Sequence, residues 1–316
     1  MESPGLAHWD AATHGPRIPD AALLEMRAQP RFGEAARHAA TQSLALFDRD
    51  PIMTRALKDV GRVILGMIAL YLDAKGGMTL SKIQAFLVEM RLTSPGRAAA
   101  MLIQLRLIGY VVPAEVQPNR RVRIYVPTPR MRAAFHAHFR KDLEALSFIE
   151  PEAARVLAHF EEPQIYNPFL VRFGQGLIDG AKVHDRSSPG LELFSQRNAG
   201  LTILADLTLA GAADDSFPPR GPIHFSVAGL ARRFGVSRPH VLKLLRDAAN
   251  AGFLTRDAEE GVGILSPLLC DQLANYYATT FIGMAACALS ALQAVQPRHA
   301  AAAMANASLS AGPPPA

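Results

Sequence analysis

Cysteine is nearly absent: the 316 residues contain two, Cys270 and Cys287, standing 17 apart in one predicted helix. At a rise of about 1.5 Å per residue they are too far along the axis to bridge each other, so a disulfide framework is excluded. Neither has the CxxC spacing of a metal site. Aromatic residues are also few, 7% of a chain that is 49% hydrophobic. With Ala, Leu and Arg recurring at spacings of three and four, this argues against an all-β fold and for a predominance of helix. The opening Met1-Glu2-Ser3-Pro4 brings neither a basic leader nor an apolar segment, so the expected compartment is the cytoplasm. Signs of catalysis are missing too. His136 and His138, two apart on a helix, cannot face one metal ion together, and no Ser, His and acid grouping assembles from spacing. Gly174, Gly176 and Gly180 follow no strand of a βαβ unit and read as a flexible helix end rather than a dinucleotide loop. No catalytic residue, metal or cofactor is expected.

What the chain has is length and internal repetition. At roughly 150 residues per domain, two domains are expected. Residues 1–19 and 296–316, without periodicity and rich in Pro and Gly or ending in a Pro run, read as disordered tails. Between them two anchors recur at an interval of 138: Pro51 and Pro189 each open a long apolar helix, the second running through Leu193, Leu201, Ile203, Leu204 and Leu207, and Thr128-Pro129 and Ser266-Pro267 each form a hydroxyl N-cap with Pro at the first helical position. Inside each half the order is a long helix, a short helix, a turn, a second short helix ending at Gly109 or Gly252, a hairpin and a final long helix. Residues 20–148 therefore read as a helical lead-in and first unit, 149–188 as a linker of two helices (Pro151 to Phe160, and around Phe169 to Val183), and 189–295 as a second unit with a long C-terminal helix. The expected fold class is all-α with small β-wings, two tandem winged helix-turn-helix units joined by a helical linker.

The run from Val227 to Leu245 resembles the helix-turn-helix pattern of bacterial regulators: Ala231 is small where the helices cross, Gly235 takes the turn, Leu230 and Val236 fill the wedge, and Val241 and Leu244 face the core. Ser237 caps the second helix, whose outward or oblique side then carries Arg238, His240, Lys243 and Arg246, residues suited to base edges and phosphates. In the first unit, Ser94 caps a helix with Pro95 at its start, and Ser94, Gly96, Arg97 and Gln104 are the corresponding contact candidates. This unit has a longer turn and Gln84 where the second has Ala231. It compensates with a basic hairpin, Arg120-Arg121-Val122-Arg123-Ile124-Tyr125-Val126, whose alternation is expected to put Arg121, Arg123 and Tyr125 on one face and Val122, Ile124 and Val126 into the domain. Hairpin and exit helix look like those of MarR-type regulators, and that resemblance implies a wing Arg entering the minor groove of double-stranded DNA.

Charge is divided unevenly. Residues 51–148 hold fifteen Lys or Arg against six Asp or Glu, and residues 189–295 hold eight against nine. The positive field of the first half fits a phosphate-bearing partner, whereas the acidic second hairpin, Asp257 to Glu260, does not. Base reading by the second unit with backbone grip by the first wing is one account, and DNA binding by the first unit alone, with the second used for assembly, is the other. Residues 276–295 carry no charge and are long enough to span a bilayer, yet Thr279, Thr280, Ser290 and Gln293 interrupt them and no basic cluster flanks them. They read as a small-residue helix packing on a partner helix. The resulting expectation is a transcriptional regulator, a repressor by resemblance, acting as a homodimer or pseudo-symmetric monomer on double-stranded DNA in the cytoplasm at the nucleoid. A tandem winged-helix factor of replication or chromosome maintenance and a winged-helix assembly module are the alternatives.

Overall fold

A computed structural model describes residues 18–49, 60–90, 93–116, 122–181, 188–212, 216–257 and 261–310. In chain order it contains α1 (Asp20–Arg27), α2 (Phe32–Arg49), α3 (Val60–Ala74), β1 (Met78–Thr79), α4 (Leu80–Glu89), α5 (Pro95–Leu107), β2 (Val111–Pro113), β3 (Ile124–Pro127), α6 (Pro129–Leu146), α7 (Pro151–Ala158), α8 (Pro163–Ala181), α9 (Pro189–Ser195), α10 (Gly200–Leu209), β4 (Ile223–His224), α11 (Val227–Phe234), α12 (Arg238–Asn250), β5 (Leu254–Asp257), β6 (Val262–Leu265) and α13 (Pro267–Ser310). Helix therefore dominates, with two small antiparallel sheets of the same order, β1-β3-β2 and β4-β6-β5. Hydroxyl caps set the starts of the helices around both sheets. Thr79, Ser94, Thr128, Ser226 and Ser237 each accept a hydrogen bond from the backbone N–H three residues on, and the Ser266 hydroxyl does the same for Leu269 at 3.2 Å. Both second short helices end in a Gly at φ +74°, Gly109 and Gly252.

Buried side chains form two cores. The first joins α1 and α2 (Leu23, Met26, Ala35, Ala39), the first sheet and its helices (Met78, Ile83, Leu102, Leu105, Tyr125), α6 to α8 (Phe139, Phe160, Phe169) and the middle of α13 (Phe281, Ala288). The second collects Phe194, Ile203, Leu204, Val241, Leu244, Leu245, Leu254, Leu265 and Leu269. Helix α2 ties them together, because Leu44 and Phe47 at its end enter the second core. There Arg233 also pairs with Asp48 of α2 at 2.9 Å and with Asp206 of α10.

Several expectations change. The helix opened by Pro189 breaks at residues 196–199: Ala199 is left-handed (φ +56°), and a Cβ on Gly200 would lie 1.9 Å from the Phe194 carbonyl oxygen, so the chain turns where only Gly fits. The helix opened by Pro51 is described only from Val60 onward. Helices α7 and α8, read as a linker, are part of the first core, and α8 begins at Pro163, earlier than expected. Gly174 is no helix end. It lies inside α8 against α3, where a Cβ would come within 2.3 Å of the Tyr71 ring. Residues 296–310, read as tail, continue α13.

The segment Pro267–Val295 is long and apolar enough to cross a membrane by length and composition, and 44% of its most apolar window is buried inside the protein. It packs on α8 of its own chain and also touches α1, α6, α7 and α9. Part of its apolar surface is thus covered within the chain. Phe281 and Ala288 on this helix are fully buried, while Leu268 and Tyr276 stay exposed.

The close approach at Gly174 yields a stability test. Gly174→Ala must displace the Tyr71 ring from a packed core and is expected to destabilise by about 1–3 kcal/mol. Gly176→Ala, whose Cβ would meet only the end of the Arg172 side chain at 3.8 Å, should be neutral or stabilising by up to about 1 kcal/mol through helix propensity. Thermal unfolding of the two variants side by side checks the difference, and equal melting temperatures would refute it.

Candidate nucleic-acid interface

Four buried side chains orient α12. Val241, Leu244, Leu245 and Ala248 line one side at helical spacing, each 0 or 1% exposed. At about 100° per residue the opposite ridge is Pro239, Lys243, Arg246 and Asn250, all exposed. Arg238 is exposed at the first turn, beside the Ser237 cap. The supporting helix α11 ends at Gly235, φ +61°, and Val236 then donates its N–H to the Ala231 carbonyl at 3.1 Å, so the turn between the helices is closed by backbone.

His240 points sideways rather than outward: its ring Nε2 lies 2.9 Å from the Asn198 carbonyl oxygen, in the turn between α9 and α10. Arg197 of the same turn pairs with Asp247 at 2.8 Å, and Lys243 approaches both oxygens of that carboxylate at 3.2 Å. Asp247 thus gathers two cations at the edge of α12, while the Lys243 side chain stays 63% exposed. Reading residues 189–207 as one helix hid Arg197 and Asn198 from this face. The signal was present in Asn198 and Gly200, turn-favouring residues that interrupt the helical run, although the residue that turns left-handed is Ala199 between them.

The first unit has the same parts with a different surface. Ser94 caps α5, its hydroxyl 3.4 Å from the Arg97 nitrogen, and Gly96 and Arg97 are exposed at the start of the helix. Gln104 is half-buried. Gln84, the departure from the small residue at the helix crossing, reaches from α4 to donate to the Pro95 carbonyl at 2.9 Å, so a side-chain bond spans the wider gap to α5.

The hairpin reverses the expected facing. Tyr125 and Pro127 are buried, Ile124 and Val126 are half-buried, and Val122 is exposed. Tyr125 pairs with Met78 of β1 and Pro113 of β2, and its ring lies under the Arg106 guanidinium at 5.6 Å. Alternation fixed which residues share a face but not which face meets the helices, and the aromatic ring took the inward one. Arg123 is exposed just before the strand, while Arg120 and Arg121 lie outside the described residues.

Among the described residues no group of His, Cys, Asp or Glu is arranged to hold a metal ion. Cys270 and Cys287 are buried thiols outside any disulfide, Cys270 donating to the Pro219 carbonyl at 3.4 Å, and burial pushes the Cys287 pKa up to about 12. No protein-family model, curated protein or solved structure matches the chain.

Proposed function

We propose that this chain is a sequence-specific regulator of transcription built from two tandem winged helix-turn-helix units, and that its second unit reads double-stranded DNA through α12. The observation that carries the proposal is the outward ridge of that helix. Lys243 and Arg246 project from a helix held rigidly by four buried side chains, next to Arg238 at its capped N-terminus. Such a helix fits the major groove, where Lys or Arg can meet guanine O6 and N7. Arg197 and the first unit's Arg123 add exposed or partly exposed charge suited to phosphates, which position the protein without reading sequence. The reading assigns the chain no catalysis, places it in the cytoplasm at the nucleoid, and takes repression from the family resemblance. The α12 helices of a homodimer would meet the two half-sites, with the first unit gripping the backbone through its basic hairpin.

The test is selection from a randomised duplex pool with the full chain, followed by titration of the winning site in rising salt. A recurrent motif is expected, with log affinity falling linearly in log salt by about 0.9 per phosphate contact. No enrichment over the starting pool, or an affinity indifferent to salt, would refute the reading. Chromosomal immunoprecipitation then separates the alternatives: peaks at promoters support regulation, and a single peak at a replication origin would move the protein to replication.

A further inference from the structure

The two second helices can be superposed residue by residue at an offset of 143, which brings Ser94 onto Ser237 and Gly109 onto Gly252. The buried positions agree: Ala98, Met101, Leu102 and Leu105 stand where Val241, Leu244, Leu245 and Ala248 stand. The outward ridges do not. Where α12 has Lys243, Arg246 and Asn250, α5 has Ala100, Ile103 and Leu107, and Ile103 is 53% and Leu107 81% exposed.

We propose that the α5 ridge is a docking surface for an acidic amphipathic helix of a protein partner. Arg106 borders Ile103 and Leu107 on one side, and Arg97 stands on the other side about 9 Å nearer the helix N-terminus, beside Ala100, at about 100° and 1.5 Å per residue; both are exposed. An apolar strip between two cationic flanks matches a helix whose apolar stripe is bordered by Asp or Glu. A duplex rewards this ridge poorly, since thymine methyls are the main apolar features of the major groove. A second copy meeting the same surface across a two-fold axis would set like charges together. The proposal stands on the first unit alone and is independent of DNA reading by α12.

The experiment uses the full chain and a labelled synthetic peptide of roughly four helical turns, with Leu at i, i+3, i+4 and i+7 and Glu on the flanks. Two control peptides accompany it, one with Lys replacing Glu and one scrambled. Fluorescence anisotropy is expected to show the Glu peptide binding about tenfold or more tighter than either control. Ile103→Ser with Leu107→Ser should lose about tenfold of that affinity while leaving the selected duplex bound as before. Leu107→Gln alone, at the most exposed position, should give part of the loss with an unchanged melting temperature. Equal binding of the three peptides, or none, overturns the proposal. A fall in duplex affinity in the double variant would make the ridge a DNA contact. A dimer in sedimentation that the double variant dissolves would make the occupant a second copy.

Discussion

Lys243→Ala combined with Arg246→Ala is expected to lower affinity for the selected duplex by about two to three orders of magnitude, and affinity for random duplex by much less. Each good side-chain contact to a base edge is worth about 1–3 kcal/mol of discrimination, and both side chains lie on the ridge opposite the buried face of α12. Neither takes part in the core, so folding should be unaffected. The Asp247 carboxylate, shared by Lys243 and Arg197, supplies an opposite control. Asp247→Asn releases two cations beside the helix and is expected to strengthen binding to any duplex and steepen its salt dependence, narrowing the gap between site and random DNA. Competition gel shifts at two salt concentrations measure both. Should the double variant keep wild-type preference, α12 is not the reading helix.

How far these positions were legible from sequence depended on which interactions decide them. The hydroxyl caps at Thr128, Ser237 and Ser266 and the terminating Gly109, Gly235 and Gly252 were readable because they act within one turn of backbone. The inward side of α12 was readable because four apolar residues at helical spacing leave no other choice. The facing of the first hairpin was not, since the period of a strand is silent on which side the helices lie, and Tyr125 rather than Ile124 found the space beneath Arg106. The role of Gly174 was equally hidden, because its reason is the Tyr71 ring about a hundred residues away in sequence. The uncharged stretch of α13 looked like an interface, and one of its faces packs on α8 of the same chain. Burial of an apolar stripe does not record whether the covering surface is covalently attached. The contrast between Ile103 with Leu107 and Arg246 with Asn250 lay in the sequence throughout. It became informative once matching caps, core positions and terminating glycines aligned the two helices.

The first core should also lose stability in acid through His138 on α6. The ring sits half-buried on α6 near the Phe135 and Phe139 rings, with the buried pair Lys141 and Asp142 one turn on. Burial, and secondarily the Lys141 charge, hold its pKa at about 4, with Asp142 opposing. An imidazole whose folded pKa lies below its unfolded value of about 6.5 binds its proton more readily in the unfolded chain. Its contribution is therefore complete above about pH 6.5 and is lost progressively as pH falls through about 4. At about 1.4 kcal/mol per unit, that loss is of the order of 3 kcal/mol. His138→Leu removes the titration. Denaturant unfolding at a series of pH values should show the wild type losing stability faster than the variant between roughly pH 6.5 and 4, with both declining in parallel below that as carboxylates protonate. Two curves that stay parallel over the whole range would mean that the folded protein accepts a proton on His138 as readily as the unfolded chain.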